Sequence, residues 1–461
     1  MRKAIRLSLA AALVGSAMLQ GASVDIDGYR GGTLDFMLKG IYVVDDHKNG
    51  FAPSNGGGYL VKVKHVTPDI WVDNLKVGVG VYVNGDAGLT DWDKNSAPEY
   101  DKGAYGLSVD VDGASKALMG EFFVTYKNSY FDAKLGRQTL DTPLTKIQVS
   151  LMPNFYEAYM LGTNVVDGLR LNAGHITKMS FGSRAAADAG MIGENTGTAG
   201  VGFKNDDFMS FETATSYIDQ AKFYNMGVAA GLKKNTNGRS VVGATYTGVK
   251  NLQADFWVYH SDDVADDFYA EVGYKIPLNE SSAVKLSAQY LMQKDTGDSL
   301  AGERDFNMFG AKVAYDAKQW GVFAAYNKSG DEDGTEGQYF NAWGADPAYT
   351  STIFSRNAYR TDVDAYKIGA HYIVMKGLKF TVDYAEYGKS KSTVGGITAL
   401  TANTALEDAY EIDTGFTYKP NQNWFFRVFN ARRLSEFDGR VISKTPERRM
   451  NHYRAAVVYN F

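Results

Sequence analysis

The chain has no cysteine among its 461 residues. That excludes a disulfide framework, a Cys-ligated zinc or iron–sulfur centre, and a thiol nucleophile. Proline is scarce, at 9 residues, about 2% against a usual ~5%. Beyond the first two dozen residues no apolar run approaches the ~18 residues that a membrane-crossing helix needs. The histidines, His47, His65, His175, His260, His371 and His452, are scattered, with no pair at metal-ligand spacing. There is no G-x-S-x-G, P-loop or G-x-G-x-x-G. Catalysis, a cofactor and a metal site are therefore not expected. The net charge of −5 makes a poor nucleic-acid binder, so no nucleic-acid partner is expected either.

What the chain does have begins with residues 1–23, MRKAIRLSLAAALVGSAMLQGAS. A basic start, an apolar stretch from Leu7 to Leu19 and small residues at Gly21, Ala22 and Ser23 follow the plan of a signal peptide. Its removal takes Arg2, Lys3 and Arg6 away and leaves 45 basic against 53 acidic residues. The mature domain would be 24–461.

That mature part alternates with a period of two. Val77, Val79, Val81 and Val83 share one face, opposite Lys76, Gly78, Gly80 and Tyr82. Phe380, Val382 and Tyr384 stand opposite Lys379, Thr381 and Asp383. Such alternation marks strands with one apolar and one polar face. It predicts eighteen: 33–43, 59–66, 75–84, 118–126, 129–137, 155–164, 169–177, 240–247, 251–260, 267–275, 283–292, 308–315, 319–327, 365–374, 378–387, 409–418, 423–431 and 450–461. The stretches 105–111 and 223–232 are read as loop structure rather than as strands nineteen and twenty.

Long and short gaps alternate, with one near-tie around strand 267–275, as expected of short turns at one rim of a barrel and long loops at the other. All nine prolines fall in gaps on this map, including Pro277. Tyrosines collect toward strand ends, at 42, 59, 82, 126, 259, 274, 290, 326 and 418, where membrane interfaces select aromatics. The chain closes on Tyr453, Ala455, Val457, Tyr459 and Phe461 at every second position. This ending resembles the recognition signal that barrel assembly machinery reads in bacterial outer-membrane proteins. The expected fold is all-β: a transmembrane antiparallel β-barrel of eighteen strands in the outer membrane, against the alternative of a soluble sandwich or propeller.

Several stretches together resemble the OprD family of outer-membrane porins. DAKLGRQTLDTPLTKIQVSLMP (132–153) is similar to a strand entering an inward-folded third loop, and DGLRLNAGHI (167–176) to the turn and strand that follow. FYAEVGYKIPLNESSAVKLSAQY (268–290), the stretch ending WGADPAYTSTIF (343–354) and KGLKFTVDYAEYG (376–388) resemble a hairpin, the long seventh loop and a later strand. The resemblance runs in order over more than half of the chain. The N-terminal hundred residues match poorly, and the gap 178–239 is longer than the family's usual loop. The resemblance implies eighteen strands, a third and a seventh loop folded into the lumen, and a basic ladder that guides carboxylates.

In such a barrel the chemistry is selection by pore width and by lining charge. Alternation places Lys39, Lys62, Lys64, Arg170, Lys285, Lys312, Lys367, Lys379, Arg427 and Arg454 on the polar face. It also assigns Glu121, Asp132, Glu157, Asp255, Glu271, Asp383 and Asp413 there. The third loop adds Asp141, Lys146 and Arg137, although Arg137 has the parity of the apolar Ala133 and Leu135. The seventh adds Arg356 and Arg360, with the acidic tip DEDGTEG (331–337) read as solvated. The expected function is passive, substrate-preferring diffusion of small polar solutes, organic anions or amino acids. The alternatives are a nonspecific general porin and an abundant structural or adhesive barrel displaying its long loops. Expected partners are the solutes, outer-membrane lipid and the assembly machinery. A homotrimer is left open, because every outward face is apolar.

Overall fold

In a computed structural model, the residues described are 31–46, 54–86, 88–89, 115–145, 151–180, 222–230, 232, 234–332, 336–340, 343, 346–353, 357–390, 406–437 and 447–461. The signal segment, the stretch 105–111, Lys146 and Arg356 lie outside them.

Eighteen long strands follow one another: β1 (Thr33–Asp45), β2 (Ser54–Val66), β3 (Leu75–Gly85), β4 (Lys116–Lys127), β5 (Asp132–Gln138), β6 (Phe155–Val166), β7 (Leu169–Ser180), β8 (Arg239–Tyr246), β9 (Leu252–Ser261), β10 (Ala265–Asn279), β11 (Ser282–Asp295), β12 (Asp305–Asp316), β13 (Trp320–Ser329), β14 (Asp364–Met375), β15 (Leu378–Tyr387), β16 (Leu406–Tyr418), β17 (Trp424–Phe437) and β18 (Glu447–Asn460). Each pairs antiparallel with its sequence neighbours. β1 pairs with both β2 and β18, so the sheet closes and leaves no edge. At the seam Phe36 and Phe461 exchange backbone hydrogen bonds, at 2.9 and 3.1 Å, and their rings stack 4.4 Å apart. The expected count of eighteen holds. Within 223–232 the chain forms only a two-residue strand at Tyr224–Asn225 and a single helical turn at Met226–Ala229.

One placement changes. Pro277 lies inside β10, not in a gap. It pairs with Ala283 two residues from the strand's end, and the ladder breaks directly after it. A proline is tolerated at such an irregular last rung, where a regular hydrogen bond is already lost.

The two faces of the sheet differ as the alternation requires. Leu34, Val63, Val81, Phe122, Leu161, Phe256, Phe309, Ile368 and Val428 are exposed, large and apolar, and they form the lipid-facing surface. The opposite face holds the buried apolar clusters, and these are contacts between strands and inward-lying loops. Leu144 packs with Trp257, Tyr259, Tyr339 and Tyr359. Leu151 and Met152 pack with Ile41, Leu60 and Tyr82. Tyr82 and Tyr259 thus leave the expected interfacial girdle. Both are buried on the lumen side, where Tyr82 donates to Glu121 (2.5 Å) and Tyr259 to Thr142 (2.9 Å). A tyrosine near a strand end serves either face if its hydroxyl finds a partner.

Candidate functional site

The lumen is narrowed by two segments, each held by specific bonds. In the segment between β5 and β6, the Leu144 amide donates to Tyr259 Oη at 3.2 Å. Tyr156 donates to the carbonyls of Thr145 (2.6 Å) and Trp343 (2.9 Å), tying this segment to the one between β13 and β14. The latter is gripped by lumen-facing amides. Gln289 donates to Pro347 O and accepts from Tyr349 N, at 2.9 and 3.0 Å. Gln293 does the same with Phe340 O and N, at 3.0 and 2.6 Å. Asn327 Oδ1 accepts from both donors of Thr350 at 3.0 Å. Each primary amide has the donor–acceptor geometry of a peptide, so these residues act like ladder rungs turned inward.

Around this plug the lumen carries charge of both signs, differently engaged. Lys62 binds Asp35 at 2.5 Å, Lys64 binds Glu121 at 2.6 Å, and Arg170 binds Asp132 at 2.8 Å. Lys367 lies 3.5 Å from Asp383 and donates to Ser351 O at 2.7 Å. Three other predicted lumen carboxylates accept from neutral donors. Glu271 takes Tyr269 and Tyr349, and Asp255 takes Thr245 and Gln253. Asp413 accepts the Ile353 amide at 3.1 Å. Four predicted cations differ. Among the described residues Lys285, Lys312, Lys379 and Arg427 have no carboxylate within ion-pair distance. Two of them line one cavity of about 250 Å³ with Glu271, Phe323, Tyr349 and His371. There Lys312 Nζ stands 4.3 Å over the Phe323 ring, with Lys285 and Lys367 as like-charged neighbours.

Other expected positions fare variously. Arg427 and Arg454 flank the Phe429 ring at 4.6 and 5.2 Å. Arg360 is 1% exposed, held inside its loop, so it is not pore lining. Asp141 borders a cavity at the end of β5. Lys39 belongs to β1 and faces Leu60 across the β1–β2 pair. Glu157 is reassigned. It pairs in register with Arg137 and shares the parity of Tyr159 and Leu161, which are half-exposed on the outer face. Its partners there are Lys178 at 3.1 Å and Arg137 at 3.7 Å. A strand outlasts the apolar band, so a charge near its extracellular end does not mark the lumen face.

Three lumen groups went unread in the sequence. Lys134 shares the parity of Asp132, and its ammonium lies 4.1 Å over Phe123. Asp267 shares the parity of Glu271 and meets Arg239 at 2.9 Å in a fully buried pair. Arg433 meets Glu411 at 4.0 Å, with both side chains buried. Continued alternation would have found Lys134 and Asp267. Arg239 and Arg433 lie in strand extensions beyond the predicted ends. In the loops, burial pushes the Arg304 guanidinium down to about 10, opposed by Asp295. Glu303, hydrogen-bonded to Glu336, raises the Glu336 carboxyl.

A closed, edge-free barrel with an apolar outer band and a charged lumen partly filled by its own loops is an outer-membrane channel. The family model for "outer membrane porin, OprD family" matches residues 75–461, and the chain belongs to that family. The match reaches back to residue 75, into the N-terminal hundred residues where the resemblance read from the sequence was poor. Among solved structures the chain is similar to Acinetobacter baumannii OccAB3, at 14% identity and TM-score 0.69 over 93% of this chain and 98% of that one. It is similar to Pseudomonas aeruginosa OccK9 (OpdG), at 15% and 0.67 over 93% and 98%. Acinetobacter baumannii OccAB1 gives 16% and 0.66 over 93% and 96%. At these identities the likeness concerns the fold. No curated protein matches.

Proposed function

We propose that this porin passes small polar solutes passively and prefers organic anions, carboxylates or amino acids. The supporting observation is the asymmetry of engagement. The lumen carboxylates are occupied by hydrogen-bond donors or cations, whereas Lys285, Lys312, Lys379 and Arg427 have no acidic partner among the described residues. Cations without a carboxylate partner attract a passing anion and release it to the next, which is how a charged lining selects without trapping. No energy source is needed. We also propose that residues 1–23 direct export and that the strand ending at Phe461 is read during assembly.

The test is the reversal potential of the purified protein in a planar bilayer under a salt gradient, with conductance taken from the same traces. Small, anion-preferring steps are expected. Large, nearly nonselective steps would point to a general porin. Absence of conductance from folded barrels would favour a structural or adhesive role.

A further inference from the structure

Three charged side chains share one row on the outside of the barrel. Arg137, Glu157 and Lys178 stand opposite one another across β5, β6 and β7. The next row toward the periplasm, about 7 Å below, holds Leu135, Tyr159 and His175. Leu135 and Tyr159 are 44% and 50% exposed, and Leu161, one row further on, is 48% exposed, so the wall directly beneath the charges faces lipid. The charged row itself lies at the rim that carries the long loops, the extracellular end, where the acyl region gives way to headgroups.

The charges of this row do not cancel. Glu157 meets Lys178 Nζ at 3.1 Å and Arg137 Nε at 3.7 Å, so two cations share one carboxylate and one positive charge is left over. The same carboxylate also accepts from Thr177 at 3.3 Å. Among the described residues the terminal nitrogens of Arg137 donate no hydrogen bond, and the guanidinium rests 4.3 Å over the Phe223 ring. That stacking steadies a planar fork whose outer donors remain open. The Arg137 and Lys178 side chains keep 38% and 46% of their surface exposed. Elsewhere on the same rim Lys294 is matched by Asp305 at 3.6 Å, and Lys328 is overmatched by Asp362 and Asp364 at 2.7 and 2.9 Å.

We infer that Arg137 and Lys178 form a lipid-binding site on the outer wall, which takes a headgroup phosphate of an outer-leaflet glycolipid between the guanidinium fork and the ammonium. The acyl chains of that lipid lie down the wall against Leu135, Tyr159 and Leu161. A phosphate supplies the acceptor oxygens that the open donors of Arg137 lack, and it balances the charge that Glu157 leaves over. A free phosphate ion would meet the same donors but gain nothing from the apolar wall, which is why the occupant is a lipid. Glu157 acts as the stand-in anion that holds the two cations side by side and competes with the phosphate for them. The site does not depend on which solutes the pore passes.

The test is native mass spectrometry of the purified full-length barrel in neutral detergent, titrated with diphosphoryl lipid A and, separately, with phosphatidylcholine. Saturable retention of lipid A is expected, with phosphatidylcholine held far less. Arg137→Gln/Lys178→Gln should weaken retention about tenfold or more, as loss of charge-assisted hydrogen bonds implies. Glu157→Gln, which removes the competing carboxylate and keeps its shape, should strengthen it. Lys294→Gln, in a matched pair of the same rim, should leave it unchanged. Lipid A retained as well by the double variant as by the native chain, or retention equalled by phosphatidylcholine, would overturn the site. Weaker retention in Glu157→Gln would overturn the competing role of that carboxylate. Displacement of lipid A by millimolar inorganic phosphate would assign the donors to the free ion and overturn the lipid as occupant.

Discussion

Gln293 and Phe340 form a reciprocal pair across the lumen: the side-chain amide gives one hydrogen bond to the backbone and takes one back, at 3.0 and 2.6 Å. The pair is buried, so neither partner can turn to water without cost. Gln293→Ala should leave the Phe340 amide and carbonyl unsatisfied, a loss of about 1–3 kcal/mol for that anchor. The substitution also takes a donor from buried Asp267 of β10, 2.8 Å away, but the backbone ladders of the barrel are not involved and should persist. The expected outcome is a noisier open channel of raised mean conductance, with unchanged strand content by circular dichroism. A quiet channel of native conductance would show that Gln289 and Asn327 hold the segment without Gln293.

The engagement of each lumen cation predicts the effect of removing it. Lys285→Gln with Lys312→Gln removes two charges that have no acidic partner, and anion preference should fall clearly in the reversal potential. Lys379→Ala with Arg427→Ala should act in the same direction. Lys62→Gln removes a charge already matched by Asp35, so its effect on selectivity should be smaller. Equal effects from all of these would mean that ion pairing in the lumen does not decide selectivity.

How far the sequence carries this picture depends on whether the relevant contact is local. Alternation is local, and it locates every long strand, including the closing one at Phe461. It also gives the lumen face of Lys285, Lys312, Lys379 and Arg427. It misassigns Glu157, because a strand end above the apolar band tolerates charge on either face. It cannot show that Gln293 holds Phe340 or that Tyr156 joins Thr145 to Trp343, since these pairs are separated by long stretches of chain and have no period. The buried Arg239–Asp267 pair is intermediate: the parity of Asp267 is readable, but its partner lies just before a predicted strand end.

That buried pair makes a stability prediction. Both side chains are essentially inaccessible, and Arg239 also faces the Tyr259 and Trp343 rings at 4.7 and 4.4 Å. Asp267→Ala would leave the guanidinium buried without its counter-charge, a cost of about 3–5 kcal/mol. Asp267→Ala combined with Arg239→Met removes the stranded charge and should recover much of that loss. Denaturant unfolding in lipid vesicles, followed by tryptophan emission, measures both. A double variant as unstable as the single one would show that the cost lies in packing and not in charge.

Two glycines should respond differently to alanine, although both are crowded. At Gly168 φ is +76°, and a Cβ would stand 2.3 Å from the Gly248 backbone, so Gly168→Ala combines left-handed strain of about 1 kcal/mol or more with a clash that only the turn between β6 and β7 can relieve. At Gly162 the Cβ would instead meet Arg170 Nη2 at 2.1 Å, the far end of a flexible side chain. Gly162→Ala should therefore cost little stability, while swinging Arg170 off Asp132 and altering the field at the periplasmic end of the pore. The expected result is a destabilised Gly168→Ala with native selectivity once folded, and a stable Gly162→Ala with a shifted reversal potential. A shift in both properties for both variants would mean that the turn and the Arg170–Asp132 pair are mechanically one unit.

Outside the membrane, Glu336 carries a pH dependence. Its carboxyl is raised by the hydrogen bond that it donates, when protonated, to Glu303, reinforced by the charges of Glu303, Glu332 and Asp295, so the folded protein keeps a proton that the unfolded chain would release. A raised folded value means that the contribution is present at acid pH and is lost as pH climbs through that value. Below it, the shared proton ties the loop after β11 to the loop after β13. Above it, two carboxylates face each other and the loops are pushed apart. Slow current fluctuations should accordingly increase as pH rises from the ordinary glutamate range, and Glu336→Gln, which keeps a donor at every pH, should remain quiet throughout. If the substituted channel fluctuates with pH as the native one does, the gating proton belongs to another group.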